Sequence, residues 1–445
     1  MRSGELDLLE SALEQAKARG ADDAEALISI SRSTAVACRD AAVEHSQFSE
    51  SSGLSIRVFI DGRSGSVSSS DINERGLGEL IDRAVAVAKA SPRDPFAGLV
   101  SSDDLALNTE KDLQIYDATT LDAEALKEMA METEAAALAV HGVRKSTGAS
   151  ASWNQGFSAL ATTNGFLGSQ RGSGFNLGCG AIVKTNSGME TDAYSSGKVF
   201  LEDMESAASV GEAAGARAVS RIKGTSVRSG RFPVVFDARI SNSLLGHFAG
   251  ATMGNSVAMG TSFLKDKKEE RVFSAGISII DDPLRLRGTQ SRCFDGEGVA
   301  TQPLTLVEDG VLQHWLLDQA SARQLNLPIQ GNAARSGSGT RPGASNLFLA
   351  AGRMSPEELM SDIRYGLLIT KLMGQGVNGL TGHYSRGAEG FLIENGEISG
   401  AVKEITIAGN LLEMYLNLTA ANDLQFRRGM DAPTVRVEGM FVAGN

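Results

Sequence analysis

The 445-residue sequence has little cysteine, few prolines and no long apolar run. Its three cysteines, Cys38, Cys179 and Cys293, are far apart and form no C-x-x-C pair, which favours a reducing compartment over a disulfide framework. No stretch approaches the roughly 20 apolar residues that a membrane-spanning helix needs. The first twenty residues are acidic and amphipathic, unlike a signal peptide. We therefore expect a cytoplasmic protein that does not bind a membrane.

Basic residues are also too few for a nucleic-acid-binding protein. There are 42 Lys and Arg against 54 Asp and Glu, which gives a net charge of -12. The densest basic run, residues 265–268, is followed at once by Glu269 and Glu270, as on a solvated surface of mixed charge. Because nucleic-acid binding depends on concentrated Lys and Arg, we expect no nucleic-acid partner.

Glycine is abundant, with 50 residues and no periodic repeat, where about 7% is usual. This composition indicates many tight turns in a β-rich protein. Four dipeptides between alternating or apolar segments predict β-hairpins: Asp61-Gly62, Asn164-Gly165, Asp309-Gly310 and Asn395-Gly396.

The periodicity of apolar residues predicts an α+β fold in three parts. Helices are expected at residues 6–16, 77–88, 121–140, 204–222 and 355–368, with alternating strands between them. We predict an N-terminal α/β layer domain at residues 1–112 and a middle helix-plus-sheet region at 113–226. A β-rich C-terminal domain of antiparallel sheet is predicted at residues 227–445.

The last third of the chain carries the most informative pattern. The glycine-rich segment GQGVNGLTGHYSRGA at residues 374–388 leads into GFLI at 390–393, the Asn395-Gly396 turn and EITIAGNL at 404–411. With FDGEG at 294–298 and WLL at 315–317, this order resembles the TldD/PmbA family, on the side of the PmbA (TldE) branch. Members also carry the label "modulator of DNA gyrase". The resemblance covers nearly the whole chain.

The resemblance implies a link to zinc-dependent proteolysis, but this chain lacks the zinc ligands. In the TldD branch a helix carries H-E-x-x-x-H, in which two imidazoles bind the ion and the glutamate takes a proton from bound water. A cysteine near the C-terminus completes that site. The matching positions here are Gly246, His247 and Ala251, and no cysteine follows Cys293. We therefore expect no metal and no catalytic residue in this chain.

The remaining candidate donors show no paired spacing. His314 is interpreted as a residue of a hairpin strand, and His383 as a polar cap in a glycine turn. No G-x-S-x-G nucleophile elbow and no P-loop lysine is found in a convincing context. Sequence reasoning therefore identifies no alternative catalytic centre.

The segment His383, Tyr384, Ser385 and Arg386 is the candidate substrate loop. A guanidinium offers a bidentate donor fork that suits a peptide carboxylate or backbone. Alternatively, Arg386 forms an ion pair with Asp295 or Glu297 and only holds the loop. The sequence leaves both interpretations open.

The resemblance implies a non-metal-binding subunit of a cytoplasmic TldD/TldE-type metallopeptidase that degrades or processes small unstructured peptides. Zinc is then expected only in a TldD-type partner, and the chain forms a homodimer when alone. One alternative is a stand-alone homodimeric peptide-binding protein without catalysis. Another is an enzyme with a relocated metal or an unrecognised nucleophile.

Overall fold

The computed structural model describes residues 3–71, 73–185, 188–337 and 339–444, and it has the predicted α+β fold class. Within these ranges the α-helices are α1 (Ser3–Ala18), α2 (Leu77–Ala90), α3 (Ala123–Ala139), α4 (Ala207–Ser220), α5 (Ala238–Ala251), α6 (Gly254–Ala258), α7 (Gln319–Leu325), α8 (Pro356–Met360) and α9 (Leu411–Leu416).

The strands of the first half are β1 (Asp23–Arg39), β2 (Ala42–Ile60), β3 (Arg63–Ser69), β4 (Val143–Thr162), β5 (Leu167–Thr185) and β6 (Gly188–Lys198). Those of the second half are β7 (Gly230–Phe236), β8 (Ile279–Asp281), β9 (Leu304–Glu308), β10 (Val311–Leu312), β11 (Ala333–Ser336), β12 (Gly339–Pro342), β13 (Leu347–Leu349), β14 (Tyr365–Met373), β15 (His383–Glu394), β16 (Glu397–Asn410), β17 (Leu418–Ala420), β18 (Met430–Asp431) and β19 (Val435–Ala443).

The first half of the chain forms one antiparallel sheet in the order β3-β2-β1-β4-β5-β6. Its central pairing joins β1 to β4, from Glu25 opposite Thr162 to Cys38 opposite Ala149. The segments on either side of the predicted boundary at residue 112 therefore share one continuous sheet.

Four helices cover this sheet, and the sequence predicts all four. Helices α1 and α2 pack on one hydrophobic cluster and α3 and α4 on a second, which contains Trp153 and Phe175. The close packing of α3 and α4 depends on Gly211, where an added Cβ would lie 2.2 Å from the Thr133 carbonyl oxygen. Small residues on α4 thus allow two helices to lie side by side on the same face.

All four predicted hairpin turns connect paired strands, as expected for residues that tolerate positive φ. A fifth turn, at Asp40 and Ala41 between β1 and β2, was missed because alanine is not a turn residue. Both residues have positive φ, 52° and 57°. The Glu134 carboxylate of α3 accepts hydrogen bonds from both backbone N–H groups, at 3.1 and 3.0 Å, and so holds the turn.

We expect Ala41→Gly to raise the free energy of unfolding by about 0.5–1 kcal/mol, because glycine adopts positive φ without a Cβ clash. Chemical denaturation measures the change. Ala42→Gly is the matched control, since this exposed residue lies in β2 with ordinary φ and should lose stability. Equal effects at both positions would contradict the prediction.

The C-terminal half contains a second six-stranded sheet in the order β16-β15-β14-β7-β19-β17. Because β16 also pairs with β19, five of these strands form a closed ring. A separate sheet has the order β10-β9-β8-β13-β18. The largest hydrophobic core joins these sheets to α5 and includes Phe236, Phe248, Phe273 and Tyr415. Most pairings are antiparallel, with β7–β14 and β13–β18 parallel.

The helix predicted at residues 355–368 is wrong in its extent. Its start is right, since Ser355 and Glu358 form a capping box and proline occupies the first turn. The helix nevertheless ends at Met360, and β14 begins at Tyr365. The apolar residues after Tyr365 are buried in a central strand, and a short apolar run does not distinguish such a strand from a helix.

Buried ion pairs join the two halves of the molecule. The Arg221 guanidinium, at the end of α4, lies 2.7 Å from Asp192 of β6 and 3.6 Å from Glu389 of β15. Arg335 likewise lies 2.7 Å from Glu25 of β1. In the described part of the chain, no helix is long and apolar enough to cross a membrane.

Candidate functional site

Helix α5 carries Gly246, His247 and Ala251, the positions that the resemblance aligns with the metal-binding helix of the TldD branch. Asp237 caps its N-terminus by accepting a hydrogen bond from the Arg239 N–H at 2.9 Å. Leu244, Leu245 and Phe248 bury one side of the helix in the largest core. The apolar periodicity therefore fixes which positions of α5 remain available to a ligand.

The three positions expected to carry H-E-x-x-x-H offer one donor side chain. A Cβ at Gly246 would contact the Met430 Sδ at 3.5 Å, and Met430 lines a large cavity. Ala251 is buried in the core and has no donor atom. His247 lines none of the described cavities, and its ring faces Tyr384 of β15. These residues do not fit a zinc ion, which needs three protein ligands even in a catalytic site.

Half-buried His247 and buried Tyr384 form a polar pair. Their rings meet edge to face with centroids 6.0 Å apart. Among the described residues neither His247 Nε2 nor the Tyr384 hydroxyl has a hydrogen-bond partner. Burial and, secondarily, the Arg386 guanidinium lower the pKa of His247, so the imidazole is neutral at neutral pH. Burial raises the pKa of Tyr384, while Arg386 opposes that rise.

The candidate substrate loop is the beginning of strand β15, not a loop. The glycine turns end at Gly382, and strand alternation then separates the four predicted residues into two pairs. His383 and Ser385 are exposed and line a groove of about 470 Å³. Tyr384 is buried against α5, which the interpretation of His383 to Arg386 as one contact surface did not anticipate.

The predicted ion pair between Arg386 and Asp295 or Glu297 is not among the contacts of the described residues. Arg386 Nε instead donates to the Met373 carbonyl oxygen at 3.1 Å. Asp295 accepts hydrogen bonds from backbone N–H groups of its own loop and of Ala333. Arg386 therefore joins β15 to β14 through a backbone contact, without the acid that the loop-holding interpretation named.

The other predicted donors are dispersed. His314 is the second residue after β10, outside the strand, and its Nδ1 lies 3.0 Å from Gln330 Nε2. Cys38 and Cys179 are buried in the first sheet, and Cys293 donates to the Lys111 carbonyl oxygen. Over the residues that the structure describes, no three His, Cys, Asp or Glu side chains are grouped to hold a metal ion.

Sequence reasoning missed a cavity of about 960 Å³ between the edge strand β6 and the C-terminal half. Its arginine side chains come from segments far apart in sequence: Arg217 of α4, Arg239 of α5, and Arg427 and Arg428 before β18. The adjacent pair Arg427-Arg428 was the one local signal in the sequence, and its partners become neighbours only in the folded chain.

Comparison with protein families finds three matches that together cover most of the chain. The PmbA/TldA metallopeptidase domain 1 matches residues 24–88, the central domain matches 116–222 and the C-terminal domain matches 229–444.

Individual relatives cover nearly the full length. The chain is 33% identical to Metalloprotease PmbA of Escherichia coli O157:H7, over 98% of this chain and 96% of that protein. A Bacteroides thetaiotaomicron crystal structure described as a modulator of DNA gyrase is similar with a TM-score of 0.91 and 25% identity, over 99% of both chains. TldE from Thermococcus kodakarensis shares the fold, with a TM-score of 0.87, 19% identity, and 98% and 100% coverage.

Proposed function

Because the chain belongs to the PmbA/TldD metallopeptidase family, we propose that it is the non-metal-binding subunit of a TldD/TldE-type metallopeptidase in the cytoplasm. The complex would act on small, unstructured peptides. The observation that carries the proposal is the donor set of α5, where His247 alone remains and faces Tyr384. The fold shared with TldE supports a partner of the TldD type.

In this proposal the zinc-bearing partner performs hydrolysis and this chain forms part of the peptide-binding surface. A single neutral imidazole without a neighbouring carboxylate lacks both the ligand count and the proton acceptor that hydrolysis requires. The exposed side chains of His383 and Ser385 in the groove beside β15 are the candidates for peptide contact. His383 to Arg386 thus remain the proposed substrate segment, with the exposed pair as its outer face.

We expect the purified chain alone to contain no stoichiometric zinc and to cleave no unstructured peptide, because α5 lacks the ligands. Mixed with a zinc-bearing TldD-type chain, it should give peptide cleavage that a chelator abolishes. Elemental analysis and a digestion assay of each chain and of the mixture measure this. Chelator-sensitive cleavage by this chain alone would contradict the proposal.

The control variant is His247→Gln, which removes the one imidazole of α5 and keeps a polar side chain of similar reach. We expect unchanged activity of the mixture. Loss of both bound zinc and activity would instead reveal a relocated metal site. A chain that binds peptide as a homodimer and never activates the partner would favour the stand-alone binding protein.

A further inference from the structure

The 960 Å³ cavity between the two halves of the molecule has a strongly basic wall. We call it the arginine cavity, after Arg217, Arg239, Arg427 and Arg428, which line it together with Lys198. Arginine is usual at sites that recognise carboxylates, because its guanidinium binds them bidentately. A cavity of this size is also within the range of ligand-binding sites.

Three of the four arginines lack an acidic partner within the described ranges. Arg239 lies between Asp237 and Asp192, at 3.0 and 3.5 Å. Arg217, in contrast, lies over the Tyr194 ring and donates to the Ala193 carbonyl oxygen at 3.1 Å. The side chain of Arg427 donates only to the Gln425 amide oxygen, and none of the ion pairs of the described residues includes Arg428. Arg217 and Arg427 therefore remain available to an anion, whereas the Arg428 charge already acts on Asp431, where it opposes the rise in the pKa of that carboxyl.

The acidic residues of the cavity wall, Glu205, Asp423 and Asp431, accept hydrogen bonds from neutral donors, and no ion pair of the described residues joins them to Arg217 or Arg427. Glu205 accepts from the Tyr194 hydroxyl at 3.0 and 2.9 Å. Asp423 accepts from the backbone N–H and the hydroxyl of Thr434, both at 2.8 Å. Asp431 accepts from the backbone N–H groups of residues 427 and 428.

Arg217 and Arg427 both act at Tyr194 of β6. Burial and then the nearby Arg239 charge lower the pKa of Arg217, while the charges of Asp192 and Asp237 oppose that fall. Burial and then the Glu205 carboxylate raise the pKa of Tyr194, while the charges of Arg427 and Arg217 oppose that rise. Two guanidinium charges and one carboxylate, that of Glu205, thus act at Tyr194, and their sum is a positive charge in a partly desolvated cavity.

We propose that the arginine cavity binds the C-terminal carboxylate of a peptide, held by Arg217 and Arg427. The peptide nature of the ligand rests on the proposed function, whereas its negative charge follows from the cavity itself. Arg217 belongs to the first sheet and its helices, and Arg427 to the C-terminal half. A bound carboxylate would therefore connect the two halves and bring a peptide beside β6.

The test measures fluorescence anisotropy of the isolated chain with a six-residue glycine–serine–alanine peptide carrying fluorescein at its N-terminus. The free-carboxylate peptide should bind roughly tenfold more tightly than its C-terminal amide, as expected for a charge-assisted hydrogen bond. Arg217→Gln and Arg427→Gln should each reduce affinity by a similar factor. The matched control is Arg83→Gln, at an exposed position of α2 remote from the cavity, which should bind normally.

Several outcomes would overturn the assignment. Equal binding of the carboxylate and amide peptides, or normal binding by both glutamine variants, excludes carboxylate recognition by these arginines. A third peptide, a C-terminal amide with one internal glutamate, tests whether an acidic side chain can supply the carboxylate. If it binds as tightly as the free-carboxylate peptide, the cavity does not prefer the chain end.

Two further measurements separate binding from folding and from hydrolysis. Thermal unfolding checks that each variant folds, and Arg217→Lys, which keeps the charge, should bind better than Arg217→Gln. Failure of the proposed function is distinguishable from failure of the carboxylate site. Cleavage by the mixture with a TldD-type chain tests the function, whereas peptide binding to this chain alone tests the site.

Discussion

Replacing Arg221 with methionine is expected to lower the free energy of unfolding by about 3 kcal/mol. The guanidinium is nearly fully buried, with 3% of its side chain exposed. It contacts Asp192 and Glu389, and its Nη2 donates to the Thr370 hydroxyl at 2.9 Å. Removing it leaves two largely buried carboxylates without their shared cation. That uncompensated charge, more than the lost contacts, is the source of the destabilisation.

The expected loss lies at the lower end of the range for a broken buried ion pair, because two other cations remain nearby. Lys371 lies 3.1 Å from Glu389, and Arg239 lies 3.5 Å from Asp192. Urea denaturation measures the change. The control is Lys127→Met, which removes an exposed pair with Glu124 and should change stability by less than about 0.5 kcal/mol. Similar losses for both variants would contradict a special role for the buried cation.

Arg221 also has a consequence for the arginine cavity. Its partner Asp192 is the same carboxylate that lies 3.5 Å from Arg239 Nη1 on the cavity wall. Without Arg221, Asp192 is free to form a closer pair with Arg239. The stability of the contact between the two halves and the charge of the cavity are therefore coupled through one carboxylate.

The sequence predicted local features well because their causes are local. Asp61-Gly62 and Asn395-Gly396 form turns since these residues accept positive φ, and the flanking alternation orients the strands. The helix start at Ser355 likewise depends on a side chain and a backbone N–H three residues apart. The absence of metal ligands at Gly246 and Ala251 also needs only the sequence.

The remaining features depend on pairings between distant segments. Strand β1 joins β4 across more than a hundred residues, so the periodicity of each strand alone does not reveal that they form one sheet. For the same reason the sequence could not place Arg217 beside Arg427. The direction of the His247 ring depends on Tyr384, which the sequence assigned to an exposed loop.

The acidic loop between Phe294 and Val299 gives the second large effect, in the pH dependence of stability. Burial and then the Asp295 charge raise the pKa of Glu297 to about 8. Burial also raises the pKa of Asp295, but its carboxylate accepts three backbone hydrogen bonds, which favour the charged form. Glu297 is therefore the carboxyl that holds the proton at neutral pH.

Because the pKa of Glu297 is higher in the folded chain than in the unfolded chain, the folded state binds more protons. The contribution of Glu297 to stability is complete below its pKa in the unfolded chain, about 4.5, and is lost as pH rises through its pKa in the folded chain, about 8. We expect Glu297→Gln to remove this loss. The variant should gain roughly 2 kcal/mol relative to the wild type between pH 5 and pH 8, less than the full linkage value because the side chain is only partly shielded from solvent.

Glutamine is the appropriate replacement because it resembles the protonated acid in shape and keeps an oxygen for the Gln319 N–H, which Glu297 accepts at 2.8 Å. Urea denaturation at pH 5, 6.5 and 8 gives the free energy of unfolding at each pH, and the exposed Glu308→Gln is the control. A wild type and a Glu297→Gln variant with the same pH slope would show that Glu297 is charged throughout. A loss of stability between pH 5 and pH 8 in the wild type alone identifies Glu297 as its origin, since glutamine cannot release a proton.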